Sequence, residues 1–364
     1  MARFMIVAPR QQVEPVSQSR LRVLLLDVGH GNCAIAQDGR EVAVIDAPKT
    51  PVLPQCLAAQ ANPTVRRLVL SHADQDHIGG AAALLAHEVL SVQELWINPN
   101  SQQYSKTYLD LLTAARDRHR RGDLQVSTNL NIGVGRQLSF GRVEIQVLHP
   151  DILYAGVGPT GAGHPWGRIT GNGMSAVLRV SLAGLPAVLL PGDMDARAFE
   201  VLVDSGSDLA TPVLVFPHHG GSAHGGSDRE FAARLCEVVQ PQLIVFSIGR
   251  RRLANPSPEI VAGIRATAPG AHIACTQLSR HCHGVDISPA VFDHVLADLP
   301  AAGLASGACC AGSLSIERGG TQIMYRPLRA NHSTFIDGNL ASPLCKATPV
   351  IPKARTPTTT SSNR

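Results

Sequence analysis

The residues that could do chemistry are concentrated in one short segment. Four side chains able to bind a metal ion lie within six residues of one another, namely His72, Asp74, Asp76 and His77. Helix capping explains a single Asp in such a loop, but it does not explain two His and two Asp together. His72 and Asp74 could share one metal ion, while Asp76 and His77 could turn toward a second. The spacing therefore predicts a metal centre.

The elements around this segment would hold its side chains at one edge of a sheet. The apolar run Arg67–Leu70 predicts a strand that ends at the His/Asp segment, and Gly79–Val89 predicts a helix that follows it. Upstream, Leu21–Asp27 and Glu41–Asp46 predict two more strands, and the Gly29–Gly31 turn between them predicts that they form a hairpin. Further strands alternate with helices along the chain, which favours a layered α/β sandwich.

The segment from Leu70 to Gly80 resembles the signature of the metallo-β-lactamase superfamily. From His72 it reads His-x-Asp-x-Asp-His-Ile-Gly-Gly, where the superfamily usually has His-x-His-x-Asp-His. An Asp at the position of Asp74 is the variant found in the soluble hydrolase domain of the competence DNA-uptake channel (ComEC-type) proteins. The resemblance implies an α/β fold, the four-layer αββα sandwich of that superfamily.

Further motifs of that family occur in the same order along residues 21–268. The similar segments are Asp27-Val28-Gly29-His30-Gly31-Asn32 (usually Asp-Val-Gly-Gln-Gly-Asp), Val44-Ile45-Asp46-Ala47, Asn172 to Leu178, Leu190-Pro191-Gly192-Asp193, the His-His-Gly-Ser-like loop Phe216 to Ser222, and Val245 to Gly249. Ordered motifs over such a span are far more specific than any one of them alone.

The resemblance implies two divalent metal ions and a set of ligands for them. The metal-binding side chains would be, in chain order, His72, Asp74, Asp76, His77, Asn172, Asp193, His218 and His219. Asp193 would bridge the two ions, and Asp76 would hold the second ion and could orient the attacking water. Either His218 or His219 would complete the second site, and the sequence does not choose between them. The residues that we expect to be catalytic are Asp76, Asp193 and His219.

The types of ligand bear on which metal is used. Asp74 and Asn172 would make the first site rich in oxygen, and harder ligands favour Mn²⁺ or Mg²⁺ relative to Zn²⁺. We expect activity with Mn²⁺ or Zn²⁺, with Mg²⁺ as an alternative. Asp46 and Asp27 are interpreted as hydrogen-bond partners of metal-binding His side chains or of strand ends.

Three departures from the family pattern concern the second metal site more than the fold. Asn32 stands where an Asp is usual, and Gly221 is an extra residue in the His-His-Gly-Ser loop. The family usually has a His-Pro pair near residue 257, where this chain has Ser257, a poor metal ligand. The second site could therefore lack one imidazole, or His224 could supply it.

A group of cysteines in the C-terminal part of the chain allows two interpretations. Cys275, Cys282, Cys309 and Cys310 could bind a structural Zn²⁺ ion, although their spacing matches no common zinc motif. Buried free thiols, which behave as small apolar side chains, are the favoured alternative.

Composition limits the class of protein. Of 364 residues, 44% are hydrophobic and only 16% are charged, which excludes a largely disordered chain, and a net charge of +4 is too small to indicate nucleic-acid binding by itself. With no signal peptide and no transmembrane run, we expect a cytoplasmic protein without a membrane partner. The predicted divisions are an N-terminal lead-in (1–20), a hydrolase domain (21–290), a C-terminal extension (291–345) and a disordered tail (346–364).

The leading functional hypothesis is a phosphodiesterase or nuclease acting on nucleic acid or nucleotide phosphodiesters. Two cations a few ångströms apart can bind a hydroxide between them together with the non-bridging oxygens of a phosphodiester. One alternative is a hydrolase of another ester, a thioester or a lactam, because a fold does not define a substrate. A second alternative, motivated by Ser257, is a non-catalytic metal-binding protein.

Overall fold

The computed structural model describes residues 20–60, 64–87, 90–98, 105–159, 167–250, 253–282 and 291–346. Apart from residues 20 and 346, the predicted lead-in and the predicted disordered tail lie outside these ranges. In the described chain, the strands of a first sheet are β1 (Leu21–Leu25), β2 (Ala34–Asp38), β3 (Glu41–Ile45), β4 (Thr64–Leu70), β5 (Val92–Ile97), β6 (Gln125–Ser127), β13 (Leu314–Gly319) and β14 (Gln322–Arg326). Those of a second sheet are β7 (Val143–His149), β8 (Val177–Leu182), β9 (Leu185–Leu190), β10 (Val213–Val215), β11 (Leu243–Phe246) and β12 (His272–Cys275).

Helices cover the outer face of each sheet. Those against the first sheet are α1 (Val52–Ala58), α2 (Gln75–Ile78), α3 (Ala81–Leu85) and α4 (Lys106–Arg121). Those against the second sheet are α6 (Ala196–Asp204), α7 (Asp228–Val239), α8 (Pro258–Thr267) and α9 (Arg329–Asn339), and the short α5 (Ile152–Val157) follows β7.

Alternation of side chains along the strands builds the layers. In β4, Leu68 and Leu70 pack against the helices, whereas Val69 packs between the two sheets. The same division separates Leu24 from Val23 in β1. This is the two-residue period of a strand that is buried on both faces. The four-layer αββα sandwich that the sequence predicts is confirmed.

Strand direction collects the functional loops at one edge. The first sheet has the order β14-β13-β1-β2-β3-β4-β5-β6, and β3 to β6 are parallel. The second has the order β12-β11-β10-β9-β8-β7, and β9 to β12 are parallel. Because β1 and β3 are each antiparallel to β2, β1 runs in the same direction as β3. Ligand sites in such sheets lie outside the carboxyl ends of the strands.

Two sequence predictions about local structure are wrong. The strands β1 and β3 do not form a hairpin with each other, because β2 lies between them and pairs with both. The helix predicted at Gly79–Val89 is the shorter α3 (Ala81–Leu85), and Gly79 and Gly80 separate it from the preceding helix α2 (Gln75–Ile78). A Cβ atom at Gly80 would meet the carbonyl group of Pro48, so this corner requires glycine.

Two strands of the predicted C-terminal extension belong to the first sheet. β13 pairs with β1 and with β14, so residues 314–326 extend the sheet beyond its N-terminal strand. No helix within the described residues is long and apolar enough to cross a membrane.

Candidate metal centre

The predicted ligands come together from loops that are distant in sequence. The His/Asp segment occupies the turn after β4 and the start of α2, with Asp74 at the position before the first helical residue. Asp193 follows β9, His218 and His219 follow β10, and Asn172 precedes β8. All these loops meet at the edge where the parallel strands end.

Asp193 lies at the centre of the site, with each carboxylate oxygen facing two imidazoles. Its Oδ1 atom is 3.1 Å from Nε2 of His77 and 3.6 Å from Nε2 of His219. Its Oδ2 atom is 3.7 Å from Nε2 of His72 and 3.8 Å from Nδ1 of His218. A carboxylate in this position can bridge two cations.

Two groups of side chains flank Asp193. The first, called the Asp74 side, consists of His72, Asp74, Asn172 and His218. On this side Oδ2 of Asp74 is 3.5 Å from Nε2 of His72, and the amide nitrogen of Asn172 is 2.9 Å from Nδ1 of His218.

The second group, called the Asp76 side, consists of His30, Asp76 and His219. Oδ2 of Asp76 is 3.3 Å from Nε2 of His30 and 3.5 Å from Nε2 of His219. His77 was expected to share an ion with Asp76, but its Nε2 atom groups with the ligand atoms of His72 and Asp193, all within 4.8 Å of one another. Successive residues of a helix point in different directions, which separates Asp76 from His77.

Hydrogen bonds orient three imidazoles so that Nε2 faces the centre. Nδ1 of His77 lies 2.7 Å from Oδ2 of Asp46, and Nδ1 of His219 lies 2.8 Å from the carbonyl oxygen of Ser247. The hydroxyl of Ser71 donates to Asp46 and so can accept from Nδ1 of His72, 3.1 Å away. A hydrogen bond at one imidazole nitrogen determines the tautomer and leaves the other nitrogen available as a ligand.

The electrostatics of the buried groups are those of a cation site. Burial alone would raise the pKa of Asp193, but His77, His219 and His72 hold it far below its usual value. Burial alone would lower the pKa of His77, but Asp193 and Asp46 raise it well above its usual value. The carboxylate of Asp193 therefore stays ionised and stabilises positive charge at the centre.

The residues fit divalent metal ions. Among the described residues, the buried atoms without a hydrogen-bond partner include four that face Asp193 or belong to it: Nε2 of His72, His77 and His219, and Oδ1 of Asp193. Buried polar atoms without partners are rare and costly, and a bound ion would satisfy all four. Tetrahedral ligands about 2.1 Å from an ion are about 3.4 Å from one another, close to the separations of 3.1–3.8 Å around Asp193 and Asp76.

The exposed fractions of the side chains distinguish the buried base of the site from its solvent-exposed rim. The side chains of His72, His77 and Asp193 are at most 5% exposed, whereas those of Asp74 and His218 are 33% and 28% exposed. A substrate would therefore approach over Asp74 and His218.

The structure distinguishes residues that the sequence left as alternatives. His219 faces Asp76, whereas His218 faces the Asp74 side. Both have left-handed backbone conformations, with φ of +50° and +54°, which are uncommon for non-glycine residues and concentrate at functional sites. His224 is exposed, and its ring centroid lies 5.5 Å from that of His218, away from Asp76. Ser257 is the residue before α8 and donates its backbone N–H to the carbonyl oxygen of Gly220.

Asp46 and Asp27 have different environments. Asp46 is the partner of His77, as the sequence suggested. Asp27 instead accepts hydrogen bonds from the N–H groups of Gly29 and Gly303 and from the amide of Gln277. Asp27 therefore anchors the turn after β1 and contacts no imidazole of the centre.

His30 is the member of the site that sequence analysis missed. Its side chain is 6% exposed and faces Asp76. The available signal was the opening turn, where this chain has His30 at the position of the family's usual Gln.

The four C-terminal thiols do not form one ligand set. Sγ of Cys309 lies 3.7 Å from Oδ2 of Asp27, while Sγ of the adjacent Cys310 lies 3.2 Å from Nε2 of His332. Cys275 interacts with Cys310. Within the described residues, the close groups of three or more candidate ligands both belong to the His/Asp centre and contain no cysteine.

Comparison with known proteins shows which proteins this chain resembles. Residues 26–93 match the Metallo-beta-lactamase superfamily. The chain is 26% identical over 272 residues to "Competence protein ComA" of Neisseria gonorrhoeae, covering 73% of this chain and 32% of that protein. It is 27% identical over 217 residues to "ComE operon protein 3" of Bacillus subtilis, covering 58% of this chain and 23% of that protein. The chain thus spans about a third or less of these relatives. The resemblance to the metallo-β-lactamase superfamily and to competence proteins is confirmed.

A solved structure with partial similarity is the metallo-beta-lactamase fold protein YhfI from Bacillus subtilis. It is 9% identical with a TM-score of 0.44, covering 70% of this chain and 96% of that protein.

Proposed function

We propose that this chain is a metal-dependent hydrolase of the metallo-β-lactamase superfamily that cleaves phosphodiester bonds in a nucleic acid or nucleotide. The observation that carries the proposal is the division of the centre around Asp193 into two sides, of which the Asp74 side is rich in oxygen ligands. Asp74 and Asn172 occupy positions where the superfamily usually has imidazoles. Hard oxygen ligands favour Mn²⁺ or Mg²⁺, and such ions commonly bind phosphate oxygens in phosphoryl-transfer sites.

The metal ions of this family are divalent. The predicted ligands would hold them, and Asp193, one of these ligands, would be shared between the two ions. When bound, a pair of divalent ions activates water and stabilises the charge that develops on a phosphate. We propose Mn²⁺ as the preferred ion, with Zn²⁺ and Mg²⁺ as alternatives.

The side chains themselves have separate tasks in this proposal. Asp46 and the carbonyl oxygen of Ser247 keep His77 and His219 in the tautomer whose Nε2 atom faces the centre. Burial lowers the pKa of His218, so its imidazole is neutral near pH 7 and can serve as a ligand. Ser175 accepts the backbone N–H of Asp193 at 3.0 Å and so holds the bridging carboxylate in place.

The substrate would contact the exposed rim. Asp76 is 19% exposed at its side chain, so it could orient a water molecule. Asp76, Asp193 and His219 are accordingly the proposed catalytic residues.

The test is turnover of linear DNA, circular DNA, RNA and bis(p-nitrophenyl) phosphate in the presence of Mn²⁺, Mg²⁺ or Zn²⁺. Wild type should cleave at least one of these substrates, and chelation or the variants His72→Ala and Asp193→Ala should remove the activity. Matched controls are His119→Ala and Asp204→Ala, two exposed residues at helix ends, which should retain it.

No cleavage of any of these substrates by the metal-loaded wild type would contradict the proposal. The hydrolase would then act on another ester, a thioester or a lactam, or the chain would bind metal without catalysis. The cytoplasmic location and the lack of a membrane partner stay predictions.

A further inference from the structure

The Asp76 side has an imidazole that the family pattern does not provide. Three ligand atoms from three separate elements, Nε2 of His30, a carboxylate oxygen of Asp76 and Nε2 of His219, all lie within 4.8 Å of one another. The separations of Oδ2 of Asp76 from the two nitrogens, 3.3 and 3.5 Å, are those of ligands that share one ion.

The turn that carries His30 is held rigidly against the centre. Gly29 and Gly31 on either side of it have φ of +83° and +135°, conformations that require glycine. A Cβ atom on Gly31 would collide with the backbone oxygen of Asp76. The N–H of Gly29 donates to the buried carboxylate of Asp27 at 3.1 Å. The turn therefore fixes His30 relative to Asp76 through the backbone of both.

Ser247, the residue after β11, contacts both the turn that carries His30 and the ring of His219. The hydroxyl of Ser247 donates to the carbonyl oxygen of Gly31 at 2.6 Å, and the carbonyl oxygen of Ser247 lies 2.8 Å from Nδ1 of His219. The rings of His30 and His219 are 4.5 Å apart between centroids. Ser247 is 5% exposed, so this arrangement forms part of the core.

The candidate that the sequence offered for the missing imidazole, His224, lies elsewhere. Ser257 takes part in the start of α8 and has no imidazole to offer. His224 is exposed beside His218, on the Asp74 side. His30 lies on the Asp76 side, where the sequence indicates that one imidazole is missing.

We propose that His30 is a metal ligand on the Asp76 side, replacing the imidazole that the family usually supplies near residue 257. This inference rests on the proposed metal centre, but not on the identity of the substrate. The competing interpretation is that His30 only donates a hydrogen bond from Nε2 to Asp76.

The experiment compares metal binding by folded wild type, His30→Ala, His30→Gln and the control His224→Gln. Equilibrium dialysis against Mn²⁺ and against Zn²⁺, with elemental analysis, gives the number and affinity of bound ions. Gln can still donate a hydrogen bond to Asp76 but is a poor ligand, so it separates the two interpretations. The absorption spectrum of the Co²⁺-loaded proteins reports the ligands directly.

We expect two ions per chain in wild type and in His224→Gln. In His30→Ala and His30→Gln the second ion should bind at least tenfold more weakly, since loss of a residue that merely orients a ligand already costs about 10–100-fold. The Co²⁺ spectrum should change in both His30 variants and stay unchanged in His224→Gln.

Wild-type affinity for both ions in His30→Gln would overturn the inference in favour of the hydrogen-bond role, and loss of the second ion in His224→Gln would overturn it in favour of His224. If the His30 variants fail to fold, a crystal structure of Zn²⁺-loaded wild type decides, because a ligand nitrogen must lie about 2.0–2.1 Å from the ion. Two bound ions without phosphodiesterase activity would contradict the proposed substrate and leave His30 as a ligand. Failure of wild type to bind metal would contradict both.

Discussion

Asp46 should determine which nitrogen of His77 is available to a metal ion, and the variant Asp46→Asn tests this. Oδ2 of Asp46 lies 2.7 Å from Nδ1 of His77 and accepts the hydroxyl of Ser71 at 2.8 Å. Oδ1 accepts the backbone N–H of Ser71 at 2.8 Å. Both oxygens accept hydrogen bonds, and an amide, with one oxygen and one NH₂ group, cannot replace both.

The amide nitrogen of the variant must take one of the two positions. At the Oδ1 position its N–H groups would oppose the N–H of Ser71. At the Oδ2 position it would donate to Nδ1 of His77, and the imidazole proton would move to Nε2, the atom 3.1 Å from Asp193. Because a protonated Nε2 cannot bind a metal ion, this second arrangement removes a ligand.

Loss of a hydrogen-bond partner behind a metal-binding imidazole costs about 10–100-fold in metal affinity, or about 1.4–2.7 kcal/mol. We expect the upper end for Asp46→Asn, because the change reverses the tautomer as well as removing a bond. Competition with a chromophoric chelator for Zn²⁺ and Mn²⁺ measures the affinity, and circular dichroism verifies folding.

Asp38→Asn is the matched control. Asp38 ends β2 in the same sheet, but it pairs with Arg142 at 2.6 Å on the surface, so this variant should bind metal as wild type does. Wild-type metal affinity in folded Asp46→Asn would refute the argument that Asp46 sets the tautomer of His77.

Three further predictions concern stability. Gly31→Ala should lower the free energy of unfolding by about 2 kcal/mol or more, because its Cβ would meet the backbone of Asp76 at a φ of +135°; unchanged urea denaturation would contradict this. Burial and the neighbouring His332 lower the pKa of His272 to about 3 from 6.5. As the pH drops below 6.5, His272 therefore takes up a proton in the unfolded chain before it does so in the folded protein, and the free energy of unfolding falls. Between about pH 7.5 and pH 5, wild type should lose about 2 kcal/mol more than His272→Gln, and parallel pH profiles in urea would contradict this. Phe216→Ala, at a side chain that is 0% exposed, should cost about 3–5 kcal/mol, measured by urea denaturation.

The layers of the fold could be predicted because strong apolar runs define most strands. β2 was missed because Ala34 and Ala36, which face the second sheet, are too small to mark a strand, and only Ile35 on the other face is large. Its position between two strands buries it whatever its own propensity, and strand propensity depends on such context. Likewise, the partner of β13 could not be inferred, because its register with β1 is set by packing across the whole chain.

The His/Asp segment could be predicted because its ligands are close in sequence, whereas the rest of the site depends on directions in space. The choice between His218 and His219 follows from two left-handed residues in succession, and the separation of Asp76 from His77 follows from the geometry of α2. Cys309 and Cys310, adjacent in sequence, contact Asp27 and His332 respectively. Spacing alone contains none of this information.

The departures from the family pattern therefore have to be considered together. Taken position by position, Ser257 looks like a lost ligand, which motivates the non-catalytic alternative, and His30 looks like a change in a turn. Ser247 connects the two, since it holds both the turn of His30 and the ring of His219. If His30 binds the ion on the Asp76 side, it replaces the imidazole that is missing near residue 257, and Ser257 is no longer evidence against catalysis. The number of metal ions bound by His30→Gln thus bears on the enzyme hypothesis as well as on the ligand.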